Sequence, residues 1–238
     1  VRLAAEIQRA LQPEDRAAIP GLEIEVLFEP CHEVGGDYWD VIPVSDDRWW
    51  IVVADVSGKG VPAGLVASNI QACLWTRRSG PEALTSIVAD INEILCRLTR
   101  GRKYATLVAA EWNSTNDTLT WVSAGHPPLM LRRNGSIRDY GATGRPIGLL
   151  SDQSYESERA ELAEGDTVLL FTDGLLEAGG LSGSDEFGLD RIRTCLSVDG
   201  SPRTVIERLT AALAAHIDGD EPEDDVTLVC IRRKVTNR

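Results

Sequence analysis

Histidine is scarce in this 238-residue chain, with only His32, His126 and His216, and the five cysteines (Cys31, Cys73, Cys96, Cys195, Cys230) are scattered without a C-x-x-C pair. Structural zinc sites draw on closely spaced Cys and His, so that class is excluded. An odd set of cysteines in mostly apolar or helical surroundings reads as reduced core residues of a cytoplasmic protein, not a disulfide framework. Basic residues are also in deficit, 24 against 37 acidic, for a net charge of −13. Nucleic acid as a partner is excluded with them, because phosphate binding needs a basic footprint. No apolar run approaches the roughly 20 residues of a membrane span. Linkers, charge blocks and repeats are missing, which predicts one domain. The chain opens at Val1 without an initiator Met or a signal-like segment, so it reads as a piece of a longer protein.

What is present is an ordinary globular composition, 43% hydrophobic and 26% charged. Its organising stretch is Trp49 to Asn69, WWIVVADVSGKGVPAGLVASN. The β-branched run predicts a buried strand, Asp55 stands at its carboxyl end, and a glycine-rich turn leads into a helix from Val61. Two nucleotide motifs come near and fail. Gly58, Gly60 and Gly64 miss the G-x-G-x-x-G spacing by one residue, with Pro62 intruding, and Ser57-Gly58-Lys59-Gly60 lacks the upstream glycine and the following Ser or Thr of a phosphate loop. A carboxylate at a strand end beside such a turn suits a cation or a phosphate, or simply caps the adjoining helix or turn.

Leu3, Ile7, Ala10 and Leu11 share one face of a predicted short helix ended by Pro13. Leu22–Glu29 alternates as a half-buried strand. After Gly35-Gly36-Asp37 a strand from Tyr38 to Val44 leads into Trp49, so Asp37 and Asp55 fall at the same end of a hairpin. Helices are predicted over Val61–Arg77 and Pro81–Leu98, the second with Leu84, Ile87, Val88, Ile91, Leu95 and Leu98 as its core stripe. Tyr104–Trp112 with Thr118–Ser123, and Leu129–Arg133 with Ser136–Tyr140 across Asn134-Gly135, read as hairpins. Between them Ser123-Ala124-Gly125-His126-Pro127-Pro128 is a rigid loop whose histidine is either catalytic or part of a structural turn. Glu156–Leu162 and Thr167–Phe171 are predicted strands, the second ending at Thr172-Asp173-Gly174. Gly179–Gly188 reads as a polar loop, Pro202–Ile217 as a helix, and Asp224-Asp225 precede a last strand, Val226–Ile231. The pattern predicts an α+β fold of antiparallel sheets with helices outside.

Asp37, Asp55, Asp173 and Asp224 each border a short apolar strand and a turn. Carboxylates brought together need a cation, and all-oxygen ligands select hard ions such as Mg²⁺ or Mn²⁺. A carboxylate bridging two ions about 3.5–4 Å apart also holds a water acidic enough to attack phosphorus in line.

VGGDYWD (34–40), ADVSGKGVPAGL (54–65), SAGHPP (123–128), FTDGLLEA (171–178) and DDVTLV (224–229) together resemble the successive motifs of the SpoIIE/RsbU-type serine phosphatases, a branch of the metal-dependent PP2C superfamily. The resemblance implies a PP2C-like β-sandwich of two antiparallel sheets flanked by helices, spanning 17–238, with 1–16 as an N-terminal linker or switch helix. It implies two Mn²⁺ or Mg²⁺ ions, with Asp55 as the bridging ligand, the Val56 carbonyl on one ion, Asp37 on the first directly or through water, and Asp173 and Asp224 on the second. It places Asp225 beside the ligands, gives His126 no assigned role and supplies no phosphate-gripping Arg between Cys31 and Asp37. The implied reaction is hydrolysis of phosphoserine or phosphothreonine on a regulatory protein such as a STAS-type anti-anti-sigma factor. The implied partners are an upstream sensor domain and a second copy of the chain joined through the N-terminal helix. Two rivals remain: a cysteine phosphatase on the C-x5-R spacing of Cys96 and Arg102, and a catalytically inactive module that binds a phosphoprotein.

Overall fold

The computed structural model describes residues 3, 5, 6, 8, 18–80, 82–179, 185–218 and 222–235. Among them are strands β1 (Leu22–Glu29), β2 (Tyr38–Pro43), β3 (Arg48–Val56), β4 (Ala105–Asn113), β5 (Thr118–Ala124), β6 (Leu129–Arg133), β7 (Ser136–Tyr140), β8 (Glu158–Glu161), β9 (Thr167–Phe171) and β10 (Val226–Arg233). The helices are α1 (Val61–Arg77), α2 (Leu84–Thr99), α3 (Asp173–Leu176), α4 (Gly188–Ser197) and α5 (Pro202–His216). They form two antiparallel five-stranded sheets, each within its own compact unit.

In the first unit, built mainly from His32–His126 and Gly141–Glu161, the sheet runs β2-β3-β4-β5-β8. Strand β3 is buried on both faces, as its unbroken apolar run requires. Its residues Trp50, Val52, Ala54 and Val56 meet the apolar stripes of α1 and α2 in one core. The second unit, Ala18–Cys31, Pro127–Tyr140 and Leu162–Arg238, orders its strands β1-β10-β9-β6-β7. Phe171, Leu228 and Cys230 of that sheet pack with Phe187, Ile192, Leu196, Val205 and Leu209. Helix α5 starts where Ser201 accepts the Thr204 N–H at 3.2 Å ahead of Pro202, a side-chain cap with proline in the first turn.

Several expectations change. Helix α4 replaces what the sequence left unassigned after Gly188. Helix α2 begins at Leu84, and Pro81 lies outside the described residues. Leu98 is 59% exposed, in the final turn before Arg100 adopts the left-handed conformation (φ 54°), whereas Asn92 is fully buried in the stripe. Most of the predicted N-terminal helix, including Ile7, Ala10, Leu11 and Pro13, lies outside the described residues. Leu3, Ala5, Glu6 and Gln8 are helical, but Leu3 is 69% exposed and Ala5 is the buried one. Of the cysteines only Cys230 is buried, and none of the five is in a disulfide.

Asn92 is a buried amide with a defined task. Its Oδ1 accepts the Gly148 N–H at 2.8 Å and its Nδ2 donates to the Leu150 carbonyl at 2.9 Å, which ties the 147–150 turn to α2. Asn92→Ala strands both backbone groups and should lower stability by about 1–3 kcal/mol in denaturant unfolding. An unchanged midpoint would show that the turn is held by other contacts.

Candidate metal centre

In the first unit Tyr38 pairs with Ala54 across β2 and β3, so Asp37, one residue before β2, and Asp55, one residue beyond Ala54, meet at one end of the ladder. Asp37 is 2% exposed and Asp55 is half-buried. The glycines of VGGD explain how the approach is possible. A Cβ on Gly36 would come within 2.8 Å of the Val56 carbonyl oxygen, so only glycine lets the Asp37 loop lie against that group. The neighbouring Gly35 is gripped on both sides by Gln8, whose Oε1 accepts its N–H at 3.1 Å and whose Nε2 donates to its carbonyl at 2.9 Å. The turn after Asp55 is anchored as well: Ser57 N–H donates to the Tyr104 carbonyl at 2.9 Å, and Lys103 Nζ donates to the Ser57 carbonyl at 2.5 Å. Lys103 thus brings a positive charge to the turn that no motif announced.

In the second unit β9 runs antiparallel to β10, with Phe171 opposite Leu228. Asp173, just past β9, and Asp224-Asp225, just before β10, therefore share an end. Gly174 is obligatory here, because a Cβ would sit 2.9 Å from the Asp225 carbonyl carbon. Thr172 stitches the turn: its Oγ1 accepts the Thr227 N–H at 3.0 Å and donates to the Asp225 carbonyl at 3.4 Å. Asp173, Glu177, Glu186, Glu223 and Asp224 line a cavity of about 210 Å³. The Asp173 carboxyl is pushed up from 3.8 to about 6, first by burial and then by the negative charges of Glu177 and Asp224. Asp225, 5% exposed, accepts the Cys31 N–H on Oδ1 at 2.8 Å and so fastens the exit of β1. The Cys31 thiol and the Asp224 and Asp225 carboxylates have donor atoms within 4.8 Å of one another, a neighbour for this cysteine that its sequence position did not suggest.

The structure thus brings Asp37 to Asp55, and Asp173 to Asp224, as two acidic pairs in separate units. The donors of these pairs are carboxylate oxygens with the Val56 carbonyl alongside, a set that fits hard divalent ions. The cysteine-phosphatase alternative fails on position. Cys96 lies within α2, its Sγ 3.8 Å from Asn92 Oδ1, and burial pushes its thiol up when a nucleophile needs it lowered.

Residues 45–234 match the family described as stage II sporulation protein E, SpoIIE. The chain belongs to this family. It is 26% identical to the phosphoserine phosphatase RsbU of Bacillus subtilis over 244 residues, covering 99% of this chain and 70% of that protein. It is 23% identical to protein IcfG of Synechocystis over 96% of this chain but only 40% of that longer protein. Among solved structures, the SiaA-PP2C domain of Pseudomonas aeruginosa superposes with a TM-score of 0.82 at 24% identity, over 97% of this chain and 94% of that one. RsbX, solved in complex with magnesium, gives a TM-score of 0.66 at 19% identity over 89% and 94% of the two chains. The fold of this SpoIIE-family chain is that of PP2C domains.

The raised Asp173 carboxyl gives a pH test. Because its folded value lies above the unfolded one, its contribution favours the fold fully below about pH 4 and is lost as pH rises through about 6. In EDTA, Asp173→Asn should therefore raise the melting temperature at pH 7.5 and leave it unchanged near pH 4. A lower melting temperature at pH 7.5 contradicts the assignment.

Proposed function

We propose that this chain, a PP2C-type serine phosphatase domain of a metal-dependent family, hydrolyses phosphoserine or phosphothreonine on a regulatory protein with two Mn²⁺ or Mg²⁺ ions held by Asp37, Asp55, the Val56 carbonyl, Asp173 and Asp224. The reading is carried by the register of β2 and β3, which delivers Asp37 and Asp55 to one strand end. Bound there, such ions supply an activated water and neutralise the phosphoryl oxygens. The protein's own part is to hold the carboxylates rigidly. Asp55 would be shared between the ions, Asp37 would be kept close to Val56 by the Gly36 contact, and Asp225, occupied by the Cys31 N–H, orients the turn that carries Asp224. No side chain is required as a nucleophile, so no covalent phosphoenzyme forms.

The proposed substrate is a phosphorylated anti-anti-sigma protein of the STAS type, the setting a cytoplasmic one, and the proposed regulation an upstream sensor domain acting through residues 1–16 on a homodimer, with 17–238 as the catalytic domain. Support for that regulation is local: Gln8 grips Gly35, two residues from Asp37, and Gly64 of α1 packs against Val34. Light scattering that finds only monomer, with and without effectors of the intact protein, would remove the dimer from this account.

Release of phosphate from a chromogenic aryl ester should require Mn²⁺ or Mg²⁺ and stop with EDTA. Asp55→Asn should reduce it by more than about 100-fold, beyond what loss of a supporting residue costs, while Cys96→Ser leaves it unchanged. If the folded protein releases none with any divalent ion, the reading passes to the inactive phosphoprotein-binding module.

A further inference from the structure

His126 is the buried histidine among the described residues, 4% exposed, and the reaction outlined above gives it no task. Its seat is unusually fixed. Gly125 has φ 65°, and a Cβ there would come within 2.8 Å of the Pro146 nitrogen. Its N–H donates to the Gly144 carbonyl at 2.8 Å, while the Thr143 and Gly144 N–H groups donate to the Ser123 carbonyl at 2.7 and 3.0 Å. A loop locked on both sides presents the imidazole in one orientation.

The ring's Nδ1 lies 2.8 Å from Thr106 Oγ1. Thr106 is the residue directly opposite Asp55 in the β3–β4 ladder. Directly opposed residues of antiparallel strands project from the same face, their Cβ atoms about 4.5–5.5 Å apart. The threonine is therefore hydrogen-bonded to the imidazole and is the cross-strand neighbour of the residue proposed as the shared ligand. A hydroxyl offers one proton and two lone pairs, so a partner that fixes it at one side sets what it offers at the other. Being β-branched, threonine also keeps that hydroxyl in few rotamers.

We propose that His126 acts through Thr106 to orient the Asp55 carboxylate for metal binding, as a positioning residue and not a catalytic one. The proposal rests on the metal-centre reading above. Partners of this kind commonly account for about 10–100-fold in metal affinity.

The test is Mn²⁺ titration by calorimetry into EDTA-stripped, dialysed chain 1–238, with melting curves in EDTA to register stability separately. Thr106→Val, which keeps the shape and removes the hydroxyl, and His126→Ala should each weaken Mn²⁺ binding by roughly 10-fold or more. The double variant should bind no more weakly than the weaker single one, and Thr106→Ser should restore most of the affinity. Wild-type Mn²⁺ affinity in Thr106→Val, or losses that multiply in the double variant, overturns the relay, even if both variants melt lower. If His126→Ala does not fold, the Thr106→Val and Thr106→Ser pair decides alone. Failure of the underlying reading looks different: wild type and Asp55→Asn then bind Mn²⁺ equally or not at all, and the proposal falls with it.

Discussion

Carboxylates gathered at strand ends repel one another, and much of this chain's local architecture serves to hold them there. The raised Asp173 carboxyl is the direct sign of that cost: burial and the charges of Glu177 and Asp224 all disfavour its ionised form. A protein with no further use for these groups gains nothing from such an arrangement. Hard divalent ions bound at these carboxylates, as proposed, would offset that cost.

Two backbone approaches make the gathering possible. Gly36 lets the Asp37 loop rest on the Val56 carbonyl, and Gly174 lets the turn after β9 rest on Asp225. The two acidic pairs are thus built the same way in the two units, from an antiparallel strand pair, a carboxylate on each strand's end, and a glycine that permits backbone contact. Hydrogen bonds then set the geometry: Gln8 on Gly35, Thr172 on Thr227, and the Cys31 N–H on Asp225.

The motif residues were legible in the sequence because each sits at a change of pattern, from an apolar run to a turn. Strands β1, β6, β7 and β9 and helix α1 have the ends their alternation or stripe predicts. Helix α4 escaped because Leu189, Ile192 and Leu196 are too few to stand out among the charged residues of its ten-residue span. Strand β8, ERAE, is mostly exposed and carries no hydrophobic alternation, so its bounds came out short of the predicted ones. What no reading of spacing could supply is non-local register. Thr106 becomes relevant only because β4 pairs with β3 at Asp55, and Lys103 only because its chain reaches back 46 residues to Ser57. Asn92 illustrates the same limit, a polar residue in an apolar stripe whose two partners lie in a distant turn.

The central claim is that the aspartates exist to bind ions together, with Asp55 common to both. Counting metal on the folded chain tests it most directly. Equilibrium dialysis against Mn²⁺ at neutral pH should find about two ions per wild-type chain, as a dinuclear centre requires, and a loss of both in Asp55→Asn at the same concentration. Retention of both ions by Asp55→Asn, with the variant folded, would contradict the account.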